Sequence, residues 1–425
     1  MFEIKKLRAD HVIDFAAEEL TGEAINDAKF NRNVAVGDKL NVVITTLNAA
    51  SAGHDAGFNE VTRDVQAGTA SFDLLTACGY TTSKLSMNNY LVDLGSVPYI
   101  DLEASWWDQI ANKDLKVLDQ LFYTTGDITV IDNDAIWVMM FNKQMAQNQD
   151  YDLYQLVRDN KWYYETMYDM VKNCAKDLNG DGKMTWQDDQ YGFATTNDSA
   201  QGLMYASGVT LSSKDSDDYP IIHTDMDKLT SVIVKAGEIM SDANTTIITT
   251  KNGITTSDDL RLLFEGGRAL FFGEVMACVT RMRNSTTDFG LIPYPKYDEA
   301  QKDYLAYVNA AGNLAMIPSS AENPERTGLL TEALAAGAYD MITPSLYEII
   351  TKSRNVRDEE SAEMVSIITS NIVYDTFYLN LLDGYSILQE RLTAKSESIA
   401  SALESKRSAA EKSLEKLVEA YKSMN

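Results

Sequence analysis

The sequence predicts an α/β protein built as two doubly wound lobes, with a helix-rich C-terminal part. Three observations carry this. The first 80 residues alternate strand and helix patterns, the order that yields a mostly parallel sheet with helices on its faces. Several strand segments, among them 72–77 and 135–141, are near-continuous apolar runs, as strands covered on both faces should be. The chain has 425 residues, more than one hydrophobic core usually serves, so it is expected to divide.

Residues 2–8 alternate like a first strand. Residues 10–33 read as a helix with Ala16, Leu20, Ala24, Ala28 and Phe30 on one side. A second strand is expected at 39–45, a helix at 55–68 stopped by Gly68, and a third strand at 72–77. Segment 91–121 is loop and helix around Trp106-Trp107, and 135–141 is a further strand. Helical patterns at 152–160 and 163–176 flank Trp162. Strands follow at 191–195 and 268–273, with helices at 226–242 and 257–266. Residues 289–297 are extended and stiffened by Pro293 and Pro295, and 313–317 is a strand closed by Pro318. From Pro324 onward helices are expected at 325–342, 345–353, 358–380 and 385–424. The last is amphipathic, with Leu392, Ile399, Leu403, Leu414, Leu417 and Tyr421 near one face, as in a helix packed on its own lobe. Ligands of doubly wound sheets bind beyond the carboxyl ends of the strands, which points to 46–51 and 78–82.

Composition narrows the function. The 37 basic and 63 acidic residues give a net charge of −26, which disfavours nucleic acid or an anionic membrane as partner. The three cysteines, Cys78, Cys174 and Cys278, are scattered and read as small buried apolar residues. No apolar run approaches the 18 or so residues that span a bilayer. No signal peptide is read at the start, a pattern shared by mature exported proteins and cytosolic ones.

The most informative motif runs from Asp177 to Asp188. Asp177, Asn179 and Asp181 occupy alternate positions and Gly182 follows, the spacing of an EF-hand-type calcium loop. Position 7 is Lys183, able to give its backbone carbonyl. Thr185 stands at position 9. Position 12 is Asp188, where an EF-hand has the longer Glu. One structural Ca2+ is expected on Asp177, Asn179, Asp181, Lys183 and Asp188; the alternative is a solvated turn. A dockerin-type module would need a second such loop, and none occurs.

Catalytic signatures are scarce. The sequence has no GxGxxG, no Walker loop and no GxSxG elbow, and His11, His54 and His223 lack metal-ligand spacing. Aromatic residues at expected strand ends and loops stand out instead: Tyr80, Trp106, Trp107, Trp137, Tyr205, Tyr307 and Tyr339. Flat apolar faces with polar edges suit sugar rings. Two adjacent tryptophans do not easily face one core, so at least one of Trp106 and Trp107 is expected at a surface or cleft. Ligand-binding candidates are thus Tyr80, Trp106, Trp107 and Trp137, with polar partners just past strand ends: Asn48, Asn197, Asp198 and Glu274. Glu274 is expected directly after its strand, with Gly273 turning the backbone toward the cleft. No catalytic residue is assigned. The residues leave sugar and peptide ligands open.

The chain resembles the extracellular solute-binding proteins of bacterial ABC importers, family 1, of the carbohydrate type. The resemblance rests on Asp14-Phe-Ala-Ala-Glu-Glu, Trp106-Trp107-Asp108, Tyr123-Thr-Thr-Gly-Asp127, the loop Asp177 to Gly192, Gly267-Arg-Ala-Leu-Phe271, and Phe289-Gly-Leu-Ile-Pro-Tyr-Pro-Lys-Tyr-Asp298. It departs from the family at Ala104-Ser105, where proline is frequent, and in lacking a secretion signal and a lipidated cysteine. The resemblance implies a two-lobed, periplasmic-binding-protein-like class II fold, with crossings near 138–142, 290–298 and 345–352. Lobe 1 would comprise 1–138 and 293–350, and lobe 2 would comprise 139–292 and 351–425. It further implies a non-catalytic, monomeric, cell-surface lipoprotein that captures a carbohydrate of the oligosaccharide class between its lobes and delivers it to permease subunits. The rival is a glycoside hydrolase, which needs two carboxylates about 5–5.5 or 6.5–9.5 Å apart across a cleft.

Overall fold

A computed structural model describes residues 2–6, 15–48, 55–129, 131–222, 226–249, 253–282, 284–352, 359–376, 390–394 and 399–424. The strands are β1 (Phe2–Lys6), β2 (Ile44–Asn48), β3 (Leu74–Cys78), β4 (Trp137–Asn142), β5 (Tyr191–Thr195), β6 (Ser212–Lys214), β7 (Pro220–Ile222), β8 (Thr246–Ile248), β9 (Ala269–Val275), β10 (Phe289–Ile292), β11 (Ala306–Tyr307), β12 (Asn313–Met316) and β13 (Ile372–Val373).

Two sheets define two lobes. In the first the order is β12-β3-β1-β2, with β1, β2 and β3 parallel and β12 antiparallel to β3. In the second it is β10-β4-β9-β5-β8, with β9, β5 and β8 parallel and β4 antiparallel to both neighbours. Strands β3, β4, β5 and β10 are buried along their whole length. That is the physical meaning of their uninterrupted apolar runs: helices cover both faces, so no position is free to be polar.

The chain crosses between sheets around 131–136, returns between Ile292 and Asn313, and crosses again after the helix Pro324–Lys352. That helix packs on the helix Ala24–Leu40, where a Cβ on Gly337 would lie 3.0 Å from Arg32 Cγ. The next helix, Glu359–Ser370, belongs with the second sheet: its Ser361 hydroxyl lies 2.7 Å from Tyr154 Oη and accepts from the Leu291 N–H. The helix Ile399–Lys422 touches both lobes. Tyr421 meets Phe122 edge-on at 4.8 Å and donates to Ser86, while the Lys422 ammonium sits over the Tyr219 ring in the β6–β7 hairpin.

Several elements differ from expectation. The first long helix begins at Ala24, not near residue 10. The Asp27 carboxylate binds the Thr21 and Gly22 N–H groups, and Glu23 caps Ile25 and Asn26. It runs on through Leu40 to a left-handed Asn41, which pushes the second strand from 39–45 to Ile44–Asn48. The expected helices at 325–342 and 345–353 are one, with Pro344 inside. The expected 358–380 helix stops at Ser370 and gives way to β13, paired with β11.

Candidate functional site

The carboxyl ends of the two sheets are tied to one pair of crossing segments. The Asn309 N–H donates to Ala135 O, and Ile136 bridges Val308. From the first sheet, the Gly79 N–H, just past β3, donates to Gly312 O. From the second, the Met276 N–H, just past β9, donates to Ile136 O. Loops leaving the strands of both lobes therefore meet at these segments, which is where a doubly wound sheet binds its ligand.

Most of the expected polar and aromatic candidates are brought to this junction. Tyr80 is half-buried in the first turn after β3, with its hydroxyl 3.5 Å from Asn309 Oδ1. Asn48 is the last residue of β2, paired with Lys6; its side chain lies outside the described residues. Asn197 and Asp198 form the turn between β5 and the helix Ser199–Ala206, and the Asn197 N–H donates to Thr249 Oγ1. Trp137 opens β4 and is 2% exposed. Its ring meets Tyr294 edge-on at 6.4 Å, and its indole N–H has no hydrogen-bond partner among the described residues. A buried donor without a partner costs free energy, which a ligand or a water would return.

Glu274 lies inside β9, not after it, because the strand continues to Val275. The side chain is 6% exposed, and its hydrogen bond to a described residue is the one it accepts from the Val275 N–H at 3.0 Å. Burial pushes its carboxyl above the usual range, opposed by that bond and by Arg281. Gly273 does not turn the backbone. It makes room: a Cβ there would lie 2.4 Å from Tyr294 Oη and 2.9 Å from Thr195 Oγ1. The hydroxyls of Thr195, Ser199 and Tyr294 sit together beside it, with Thr195 donating to Gly273 O at 2.7 Å and Ser199 Oγ at 2.7 Å from Tyr294 Oη. Sequence reasoning missed this group; the signal was a glycine interrupting an apolar strand.

The tryptophan pair lies beside the crossing segment, sharing a pocket with Ile136. Both indoles donate to one carboxylate, Trp106 Nε1 to Glu332 Oε1 and Trp107 Nε1 to Glu332 Oε2, each at 3.0 Å. Trp107 is 3% exposed and Trp106 half-buried. At least one of the pair was expected at a surface or cleft, and both line a pocket while sharing one acceptor on the helix above them. They border a pocket of about 280 Å³ with Asp108, Asp127, Thr343 and Tyr374. β12 pairs with β3 along one edge and meets Thr124 along the other. The pocket also reaches Asn133 and Ile136 of the crossing segment and Thr369 and Ile372 beyond it. Tyr205 and Tyr307 are a stacked, fully buried pair, 4.5 Å between ring centres, and belong to the core; Tyr339 is exposed.

The acidic loop at 177–189 is closed by its own hydrogen bonds. Asp177 accepts from the Gly180 and Gly182 N–H groups at 2.7 and 2.8 Å, Asn179 from the Asp181 N–H at 2.9 Å, and Asp181 from the Lys183 N–H at 2.8 Å. Gly182 has φ +77°, the sharp turn its sequence position anticipates. Asp188 approaches the Thr185 hydroxyl at 3.4 Å. The next residue, Asp189, closes the loop, accepting from the Thr185 and Leu178 N–H groups, which hold its carboxyl below the usual range. Among the described residues no three His, Cys, Asp or Glu side chains are gathered as a metal would need. Each oxygen of Asp177 nevertheless retains a lone pair after its one hydrogen bond.

The three cysteines are buried, as expected. Burial raises the Cys174 thiol to about 11 and Cys278 to about 12. The three histidines fall outside the described residues. No described helix is long and apolar enough to cross a membrane.

No family model matches the chain, and no curated protein resembles it. Solved structures do. The ABC substrate-binding protein Lmo0181 from Listeria monocytogenes, solved with cycloalternan, matches with a TM-score of 0.60 at 11% identity, over 97% of this chain and 98% of that one. The cyclic α-maltosyl-1,6-maltose binding protein of Arthrobacter globiformis matches with a TM-score of 0.61 at 11% identity, over 97% and 98%. The maltose/maltodextrin-binding domain MalE of Bdellovibrio bacteriovorus, bound to maltotriose, matches with a TM-score of 0.58 at 13% identity, over 97% and 99%. At these identities the likeness concerns the fold. The chain has the two-lobed, periplasmic-binding-protein-like fold of the class II type, matched end to end.

Proposed function

We propose that the chain is the substrate-binding protein of an ABC importer, taking a carbohydrate between its lobes. The observation that carries the reading is end-to-end likeness to sugar-binding proteins, the three described above covering 97% of this chain and 98–99% of theirs. The strand-end group supports it. An unpartnered indole N–H, a cluster of hydroxyls and a buried carboxylate converge where the loops of both lobes meet. Sugar recognition needs such hydrogen-bonding groups beside an aromatic face. In this reading Tyr80, Trp137, Asn197, Asp198 and Glu274 form the site, hinge closure traps the sugar, and the closed form docks on permease subunits outside the cell. The chain would act as a monomer on a lipid anchor and catalyse nothing. Calorimetry against a panel of malto-oligosaccharides, cyclic glucans and unrelated oligosaccharides, with mass spectrometry of co-purified ligand, tests it. Binding without turnover is expected. Release of reducing sugar from model glycosides would give the hydrolase reading instead, and a co-purified peptide would overturn the sugar.

The loop at 177–189 is proposed to take one structural Ca2+, held by Asp177, Asn179, Asp181 and the Lys183 carbonyl, with Asp188 or Asp189 closing the set. An ion bound by the folded state alone raises Tm by mass action. Chelator is therefore expected to lower Tm, and Asp181→Ala to abolish the difference. Identical melting curves with and without chelator would leave the loop as a hydrogen-bonded turn.

A further inference from the structure

Besides the three crossings, the lobes are joined by a set of polar contacts at one edge. Lys214, the last residue of β6 in the second lobe, reaches the C-terminal end of the helix Gln109–Leu115 in the first. Its ammonium donates to Lys113 O at 2.5 Å and to Lys116 O, and pairs with Asp218 at 3.1 Å. A cation on the free carbonyls of a helix C-terminus satisfies them and the helix dipole together. From the same hairpin, Asp218 accepts from the Leu118 and Asp119 N–H groups.

The segment Tyr374-Asp375-Thr376 runs between these two bodies and alternates in its attachments. Tyr374 donates to Asp108 and Thr376 to Asp114 O, both at 3.1 Å, in the first lobe. Asp375 faces the second lobe and accepts from Tyr205 Oη at 3.1 Å, the Leu211 N–H at 2.6 Å and the Ser212 hydroxyl. Asp375 is 3% exposed, so these bonds form out of water, where a lost partner is costly.

We propose that Lys214 and the strap 374–376 form a latch that fixes the angle between the lobes. A rigid-body rotation of one lobe must draw Lys214 away from the carbonyls of Lys113 and Lys116, or carry the strap off one of its two attachments. The latch therefore adds a free-energy term to any change of interlobe angle, and any ligand that needs a different angle must supply it. The proposal rests on the binding-protein reading only in naming lobe rotation as the restrained motion.

The test uses the full chain without sugar. Spin labels at Val34→Cys and Leu262→Cys, exposed helix positions of the first and second lobe, report the interlobe distance, and the native cysteines are buried. Lys214→Met keeps the side-chain stem and removes the donor. Its distance distribution is expected to shift and broaden relative to the parent, while Lys214→Arg restores a cation and narrows it again. Asp375→Asn, which weakens the strap's attachment to the second lobe, is expected to broaden it independently. A distribution unchanged in both Lys214→Met and Asp375→Asn overturns the latch. Failure of every sugar titration would bear on the proposed ligand and leave this measurement standing.

Discussion

Gly192→Ala is expected to lower stability by about 3 kcal/mol, the upper end of what forcing extra volume into a packed core costs. Gly192 is the second residue of β5, beneath the helix Tyr164–Cys174. A Cβ there would lie 2.0 Å from Val171 O and 2.4 Å from Val171 Cα. These are backbone atoms, so no rotamer change relieves the clash. Helix or strand must move, and both are held: Val171 O accepts from the Ala175 N–H, and the Gly192 N–H donates to Thr245 O. Gly95→Ala is the control, since a Cβ there meets nothing closer than 3.6 Å. Denaturant titration of the two variants is expected to separate them clearly. A Gly192→Ala midpoint equal to that of Gly95→Ala would show that the close approach of helix and strand is not needed.

That contact marks the limit of what the sequence could tell. Strand 191–195 was legible to the residue, because five apolar or small positions between an acidic turn and a polar one have few alternatives. That Gly192 is there for a helix crossing at backbone distance was not legible, since the helix that demands it ends at Cys174, 18 residues earlier. The same divide runs through the site. Tyr80, Asn197 and Asp198 were predictable because they follow parallel strands, and position relative to a strand end is local information. That Trp106 and Trp107 would share one acceptor was not legible, because Glu332 is more than 220 positions away. The latch at Lys214 and Asp375 joins segments about 100 and 160 positions apart, and nothing local distinguishes either residue from an ordinary surface charge. The helix boundaries that slipped, at Ala24 and Asn41, were decided by capping bonds that compete with a continuous helical pattern.

Glu274→Gln is expected to raise stability wherever the buried carboxyl of the parent is ionised, while weakening sugar binding. Burial lifts the Glu274 pKa above its ordinary 4.5, so the folded protein holds the proton more tightly than the unfolded chain does. The stability this contributes is complete below pH 4.5 and is lost as pH rises through the folded-state value. Above that folded-state value the carboxylate is a buried charge, with Arg281 the cation that offsets it and Asp198 and Asp258 opposing. Glutamine keeps the shape and removes the charge, so Tm is expected to rise at pH values above the folded-state pKa of the carboxyl. The gap between variant and parent is expected to close as pH falls toward 4.5, where the parent is also neutral. A group that costs stability where it stands is retained for what it does to something else. In the proposed site that is a hydrogen bond to a sugar hydroxyl, of the charge-assisted kind. Losing it is expected to cost on the order of 1.5–3 kcal/mol, roughly 10- to 150-fold in Kd by calorimetry. A rise in Tm with unchanged affinity would remove Glu274 from the site. A fall in Tm throughout the pH range above 4.5 would mean that the carboxyl holds β9 in place, and the trade between stability and binding would be wrong.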